Sequence, residues 1–459
     1  MRVVFIDIKF GTPYARDLAR GLAERGHDVW LLRAGAKDLL GTLRLERGRS
    51  GRIADIVNAP LTPQASGDPK LDISAPQVDR LVMQFVRDVE PALIHFHELS
   101  AVGLSVPISV SRMGYPTIVT IHNYWCLCPQ LNLIDATGTR CVDYQDGASC
   151  QKCRWLPLAT NRAMLDYAKT AFSDTPLFPY LSRARKVARQ RFPNRNLIPP
   201  GWSEPIHSAT LFRDRRAAGI AALNSVDVVH ALSRRSAEVL ADYGVDHSRL
   251  VVIPASTRAL DSLQTRSPRP PGSPLKFAYR GSLSYVKGVH VLVEAFSRLP
   301  QDRVALDIHG EGEPDYEAFL RRLSGGLNVR FRGTYQSSDL DTMNFNTDVG
   351  VVPSIWEETL CFAGLEFIHG GVPVIASAIG GMLDYVDVSN GVVVKPGDVD
   401  ELTNAMTMFV RDPGLISTKR PRPIPRHKLS SALDGMEAIY QKLGVRDAKP
   451  TPGTIVNEK

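Results

Sequence analysis

The 459-residue chain contains no apolar run approaching the roughly 18–20 residues that a membrane-spanning helix needs, so no spanning segment is expected. Its first stretch, Met1–Asp17, turns polar after six residues, which is too short an apolar run for a secretory signal. No short-period repeat occurs, and this argues against solenoids and propellers. Helix-turn-helix, zinc-finger and RNA-recognition patterns are also missing, so no nucleic-acid partner is expected. Cysteine is scarce, with six residues in all; a cytoplasmic chain would keep them mostly reduced.

What is present is an ordinary globular composition, 44% hydrophobic and 22% charged, over a length that suits two α/β domains better than one core. The net charge of +7 suits an anionic substrate or an anionic membrane surface. The basic run Arg183–Arg195 could lie on anionic lipid or simply form a solvated face. A cytoplasmic location follows, with peripheral contact at the inner face of the membrane as a further expectation.

Hydrophobic periodicity organises the chain into repeating strand–helix units. Val3–Ile6 reads as a buried strand, Tyr14–Arg25 as a helix with Leu18 and Leu22 on one stripe, and Val29–Leu32 as the next strand. A short return between strand and helix implies parallel pairing. Leu93–Phe96, Thr117–Ile121, Asp227–Leu232 and Leu250–Ile253 continue the rhythm. After a Pro-rich linker it restarts with Phe277–Tyr279, Val304–His309, Val329–Phe331, Val349–Val352 and Val374–Ser377. The expected architecture is two doubly wound, Rossmann-like α/β domains facing a cleft, with ligands at the carboxyl ends of the strands. The expected boundaries are a first domain over 1–258 with a Cys-bearing insertion at about 126–220, a linker over 259–274, and a second domain over 275–425. A helix over 426–445 should pack back on the first domain, and 446–459 should form a disordered tail.

Within the second domain, Pro353–Ser377 places Glu358 in a loop, Glu366 two turns inside a helix beginning near Thr359, and Gly370-Gly371 at its end. A helix start at a strand's carboxyl edge presents free N–H groups and a positive dipole end, which suits a phosphate. Carboxylates nearby accept strong hydrogen bonds from sugar hydroxyls. A second stretch, Tyr279–Gly288, joins a strand to a glycine turn and a helix start carrying Lys287. Two DxD strings, Asp339-Leu-Asp341 and Asp398-Val-Asp400, read as helix caps rather than metal ligands. In the first domain, strand Thr117–Ile121 ends at His122, and His95 and His97 end another strand.

These features resemble the retaining family-4 glycosyltransferases of GT-B fold, clearly over about 275–400 and more sparsely over 1–255. The spacing of Glu358 and Glu366 matches that family's E-x7-E motif, and Gly371–Ser377 matches its flank. The resemblance implies that Glu366 binds ribose hydroxyls, Glu358 the transferred sugar, and Lys287 the diphosphate. It adds Arg280, two positions before Ser282, as a second cation, because the family often carries Arg where Ser282 stands. Gly11, Ser282, Thr359 and Leu360 would line the donor, and His122 would contact the donor sugar and phosphate. The family's second N-terminal glycine is missing here. Ala255-Ser256 and Met382-Leu-Asp384 also depart from its pattern.

The implied activity is transfer of a hexose-type sugar from a UDP- or GDP-linked donor to a glycan or lipid-linked acceptor in surface polysaccharide or glycoconjugate synthesis. No metal would be required for catalysis. A GT-B nucleotide-sugar epimerase and an inactive GT-B scaffold are the alternatives. Cys128, Cys141, Cys150 and Cys153, including one CxxC, leave a structural zinc and free or transiently oxidised thiols both open.

Overall fold

Five consecutive buried residues, Val3–Asp7, set the centre of the first sheet, since only a parallel strand covered on both faces reads this way. A computed structural model of the chain describes residues 1–8, 11–36, 38, 42–48, 51–59, 68–100, 102–135, 137–151, 153, 207–265 and 274–444. The run Arg183–Arg195, residues 266–273 of the linker and the tail 446–459 lie outside the described residues.

The first unit alternates β1 (Arg2–Ile8), α1 (Pro13–Glu24), β2 (Asp28–Ala36), β3 (Arg44–Arg47), β4 (Ile53–Val57), α2 (Pro76–Val89), β5 (Leu93–Phe96), α3 (Ser105–Arg112), β6 (Thr117–Ile121), α4 (Ala209–Ser225), β7 (Val228–Ala231), α5 (Arg234–Asp242) and β8 (Leu250–Val252). Its sheet runs β3-β4-β2-β1-β5-β6-β7-β8, parallel except for the edge pair β3–β4. The strand order reverses at β1, so a crevice opens at the carboxyl ends of β1 and β5.

The second unit runs β9 (Leu275–Arg280), α6 (Val289–Ser297), β10 (Val304–His309), α7 (Pro314–Leu323), β11 (Val329–Gly333), β12 (Val349–Val352), α8 (Phe362–His369), β13 (Val374–Ser377), β14 (Gly391–Val394) and α9 (Val399–Arg411). Its six strands, in the order β11-β10-β9-β12-β13-β14, are all parallel. The reversal falls between β9 and β12, which brings the loops after these two strands to one crevice. Asp398 caps α9 by accepting from Glu401 N, and Asp339 accepts from Gln336 N, so both DxD strings serve helix starts.

A last helix, α10 (Leu429–Gly444), lies along α1 and β5. Tyr440 Oη meets His95 Nδ1 at 2.6 Å, and Arg25 donates to Asp434 and Glu437. One apolar cluster joins Phe5 and Leu18 of the first unit to Leu365, Phe367 and Met436. No helix among the described residues is long and apolar enough to cross a membrane.

Candidate active site

Two loops of the second unit meet in backbone contact. After β9 the chain turns at Gly288 with φ 68°, and a Cβ there would stand 1.9 Å from Pro353 O. Only a bare backbone permits that approach. Ile355 N bonds Val286 O across the same junction at 2.9 Å. The junction delivers Lys287 Nζ to Glu358 Oε1 at 2.5 Å, and Ser354 Oγ donates to the same oxygen at 2.7 Å. The ammonium also lies 5.1 Å from the Trp356 ring centre. Burial pulls the Lys287 pKa down, but the charge and hydrogen bond of Glu358, together with neighbouring Cys361, hold the lysine above its ordinary value. Gly380, also at φ 68°, lets a second loop approach so closely that a Cβ would stand 2.4 Å from Glu358 N.

The loop reaches α8 three residues later than the expected start at Thr359, because Cys361 adopts φ 68° and ψ 85°. A left-handed non-glycine residue costs on the order of 1–3 kcal/mol and is typical of functional loops. The N-terminal turn of α8 therefore opens beside Glu358. Glu366, farther along α8, keeps 16% of its side chain exposed and accepts from Tyr335 Oη at 3.2 Å. Burial raises its pKa, with Arg280 and Tyr335 pulling the other way.

Arg280 departs from expectation. Its side chain is fully covered, packs 4.2 Å from the Phe367 ring centre, donates to Asn344 Oδ1 at 2.8 Å, and stands 3.9 Å from Glu366. It backs Glu366 rather than facing the cleft. Leu360 is likewise buried in the apolar cluster and does not line the cleft. Ser282 is exposed, and its carbonyl accepts from Tyr279 Oη. Thr359 Oγ1 donates to His122 O at 3.0 Å, joining the two units across the cleft.

On the first unit's side, His122 is half-buried at the end of β6, with Nε2 3.1 Å from His97 Nδ1 and the ring against Tyr14. Burial, with His230 nearby, pushes the His122 pKa down to about 3, so the ring is neutral and suited to hydrogen bonding. His95 is fully buried between Tyr440 and Thr120 and is a core residue. Gly11 follows β1, and a Cβ there would stand 2.6 Å from Asp7 Oδ2.

Sequence reasoning missed several neighbours. Asp7 is the last residue but one of β1, and burial pushes its carboxyl up to about 7. Glu98, held by Asn123 and Ser100, is also raised by burial. Ser354, Trp356 and Tyr335 surround the predicted glutamates. The signal for Asp7 and Glu98 was an acidic residue near or just beyond the carboxyl end of a buried strand.

The four predicted cysteines, Cys128, Cys141, Cys150 and Cys153, do come together, lining one cavity of about 10 Å³ with Arg216. They do not converge as ligands. Among the described residues no group of three or more His, Cys, Asp or Glu side chains is placed to hold a metal ion. Cys153 instead meets Gln130 and the Ile134 carbonyl, and burial pushes the Cys150 thiol up to about 11.

Residues 263–427 match the family described as glycosyl transferases group 1, and residues 12–142 match glycosyltransferase family 4. The sulfoquinovosyl transferase of Arabidopsis thaliana is 30% identical over 136 residues, which is 29% of this chain and 26% of that protein. The chain spans between a quarter and about half the length of the curated relatives it matches. Among solved structures, the sucrose-phosphate synthase of Thermosynechococcus elongatus aligns with a TM-score of 0.64 and 19% identity, covering 96% of this chain and 99% of that one. Anabaena HepE in complex with UDP-glucose aligns at 0.61 and 16% identity, covering 96% and 100%. These likenesses support the two-sheet GT-B architecture.

Proposed function

Since the chain belongs to the group 1, family-4 type glycosyltransferases of GT-B fold, we propose that it transfers a hexose-type sugar from a nucleoside-diphosphate sugar to a glycan or lipid-linked acceptor, with retention of configuration. The observation that carries this reading is the Lys287–Glu358 pair, set where two donor-side loops meet at the opening of α8. A leaving diphosphate placed there would have Lys287 and the N–H groups of the helix end to neutralise it. Glu358 would hold hydroxyls of the transferred sugar, and Glu366, steadied by Tyr335 and Arg280, the ribose hydroxyls. The neutral His122 would donate or accept a hydrogen bond at the donor sugar and phosphate from the first unit's side.

The reaction is read as front-face displacement. The acceptor oxygen bonds to the anomeric carbon on the face from which the glycosyl–phosphate bond breaks. The bonding pair leaves with the diphosphate, and the acceptor proton passes to a leaving phosphate oxygen. The products are a glycoside and a nucleoside diphosphate. This assignment asks no group of the chain to act as a base, in keeping with a His122 whose lowered pKa makes it a weak proton acceptor. Lys287 and the helix end supply the charge neutralisation, and activity without added divalent metal is the expectation.

Thermal-shift titration with UDP, GDP, ADP and their sugars, with and without EDTA, tests donor binding. One nucleotide should raise Tm, and EDTA should leave that shift intact. No shift with any nucleotide would favour an inactive scaffold, and an epimerised nucleotide sugar without glycoside would favour an epimerase.

A further inference from the structure

Two adjacent carboxylates in the loop after β12 face opposite ways. Glu358 turns to Lys287 within its own unit. Glu357, only 3% exposed, turns across the cleft. Arg235 of α5 grips it with two bonds, Nη2 to Oε1 at 2.6 Å and Nε to Oε2 at 3.1 Å. Arg140 Nη1 stands 3.6 Å from Oε1. Gly380 N donates to Oε2 at 3.1 Å, so the carboxylate is satisfied from both units. Asp242 and Glu238 of α5 anchor the two arginines, and Arg140 packs over Tyr243. Arg140 also closes a small hairpin by bridging to Ile134, and Gly138 in its turn approaches Tyr285 of the Lys287 loop.

We infer that Glu357, Arg235 and Arg140 form an inter-domain clamp that positions Glu358 and Lys287, so that bringing the units together and completing the donor site are one event. A planar guanidinium bonded through two atoms fixes orientation as well as distance, which a single contact would not. Neighbouring residues in one loop cannot move independently. If Glu357 loses its arginines, the peptide carrying Glu358 loses its charged tie to the first unit and keeps the Thr359–His122 hydrogen bond there. The cleft edge then also loses a contact that keeps water from the site. These three residues are positioning residues and touch no reacting atom. The catalytic consequence rests on the proposed glycosyl transfer, whereas the clamp itself does not.

The test uses the full chain carrying Arg235→Met, Glu357→Gln or the conservative Arg235→Lys, each first checked for native circular dichroism. Amide hydrogen exchange over 354–361 and 234–242 should accelerate roughly tenfold in Arg235→Met and Glu357→Gln, while α10 stays unchanged. Arg235→Lys should fall between these variants and the parent. With a turned-over donor, the ratio of hydrolysis to transfer should rise several-fold and kcat should fall, with nucleotide affinity nearly constant. Unchanged exchange in both folded variants overturns the clamp. If the parent protein turns over no nucleotide sugar, the transferase reading fails, and the exchange data alone still decide the clamp. If one variant misfolds, the other carries the comparison.

Discussion

Replacing Lys287 with methionine separates the catalytic reading of the donor loops from a purely structural one. The substitution keeps most of the side-chain volume and removes one charge. In the parent, Nζ lies 2.5 Å from Glu358 Oε1, with side-chain exposures of 24% for the lysine and 6% for the glutamate. A hydrogen bond between charged groups contributes about 1.5–3 kcal/mol, and this pair is covered enough to reach that range. Folding stability should fall by that amount, partly rescued by adding Glu358→Gln, since the uncompensated carboxylate is then gone. Catalysis should suffer more. A preorganised group facing charge that grows in the transition state is worth about 10²–10³ in kcat. Nucleotide binding, measured by calorimetry, should weaken by roughly tenfold or less, because α8 still meets the diphosphate. Steady-state kinetics with the donor identified by thermal shift supply the comparison. Equal losses in kcat and affinity, or an unchanged kcat, would refute the assignment of Lys287 to the leaving group.

The buried imidazoles make the fold acid-labile. His230 is pushed down to about 4 and His122 to about 3 by burial, with His95 and His97 also well below the ordinary range. Groups kept neutral by folding contribute stability fully present above the unfolded pKa of about 6.5, and lost as pH falls toward the folded values. His230 alone accounts for about 3 kcal/mol across that window; urea denaturation at pH 7 and pH 5 should differ by more than 1 kcal/mol, and equal values contradict this. Tyr335→Phe removes the hydroxyl on Glu366 and should weaken nucleotide binding about tenfold with little change in kcat; an unchanged Kd detaches Glu366 from the donor. Gly288→Ala places a Cβ against Pro353 O and should abolish the nucleotide-induced Tm shift while lowering Tm. A parent-like Tm and shift would show that the two loops can part.

Strands covered on both faces were legible, because short, mainly apolar runs such as Leu93–Phe96 and Thr117–Ile121 suit the buried centre of a parallel sheet. The edge strand β3, Arg-Leu-Glu-Arg, was not, since its partial burial leaves no apolar run to detect. Helix α4 was missed for another reason. Its buried face includes Arg215, paired with Asp72 at 2.5 Å, so a covered ion pair erases the amphipathic stripe. The late start of α8 depends on a left-handed Cys361, a conformation that nothing in the residue type announces. The spacing of Glu358, Glu366 and Lys287 pointed to one crevice, and the three line the donor-side loops and α8. Arg280 sits inside because the strand it ends aims alternate side chains to opposite faces, and proximity in sequence to Ser282 does not settle which face. Glu357 and Arg235 stayed invisible because their pairing joins positions far apart in the chain.

The central claim is retaining transfer of a sugar from a nucleotide donor at the cleft joining the two units. Proton NMR of the anomeric signal during slow donor hydrolysis tests it most directly, with Glu358→Ala as the control. An α-linked donor should first release the α-anomer of the sugar, above the control, before mutarotation. First appearance of the β-anomer would contradict front-face displacement, and release no faster than the control would contradict the claim itself.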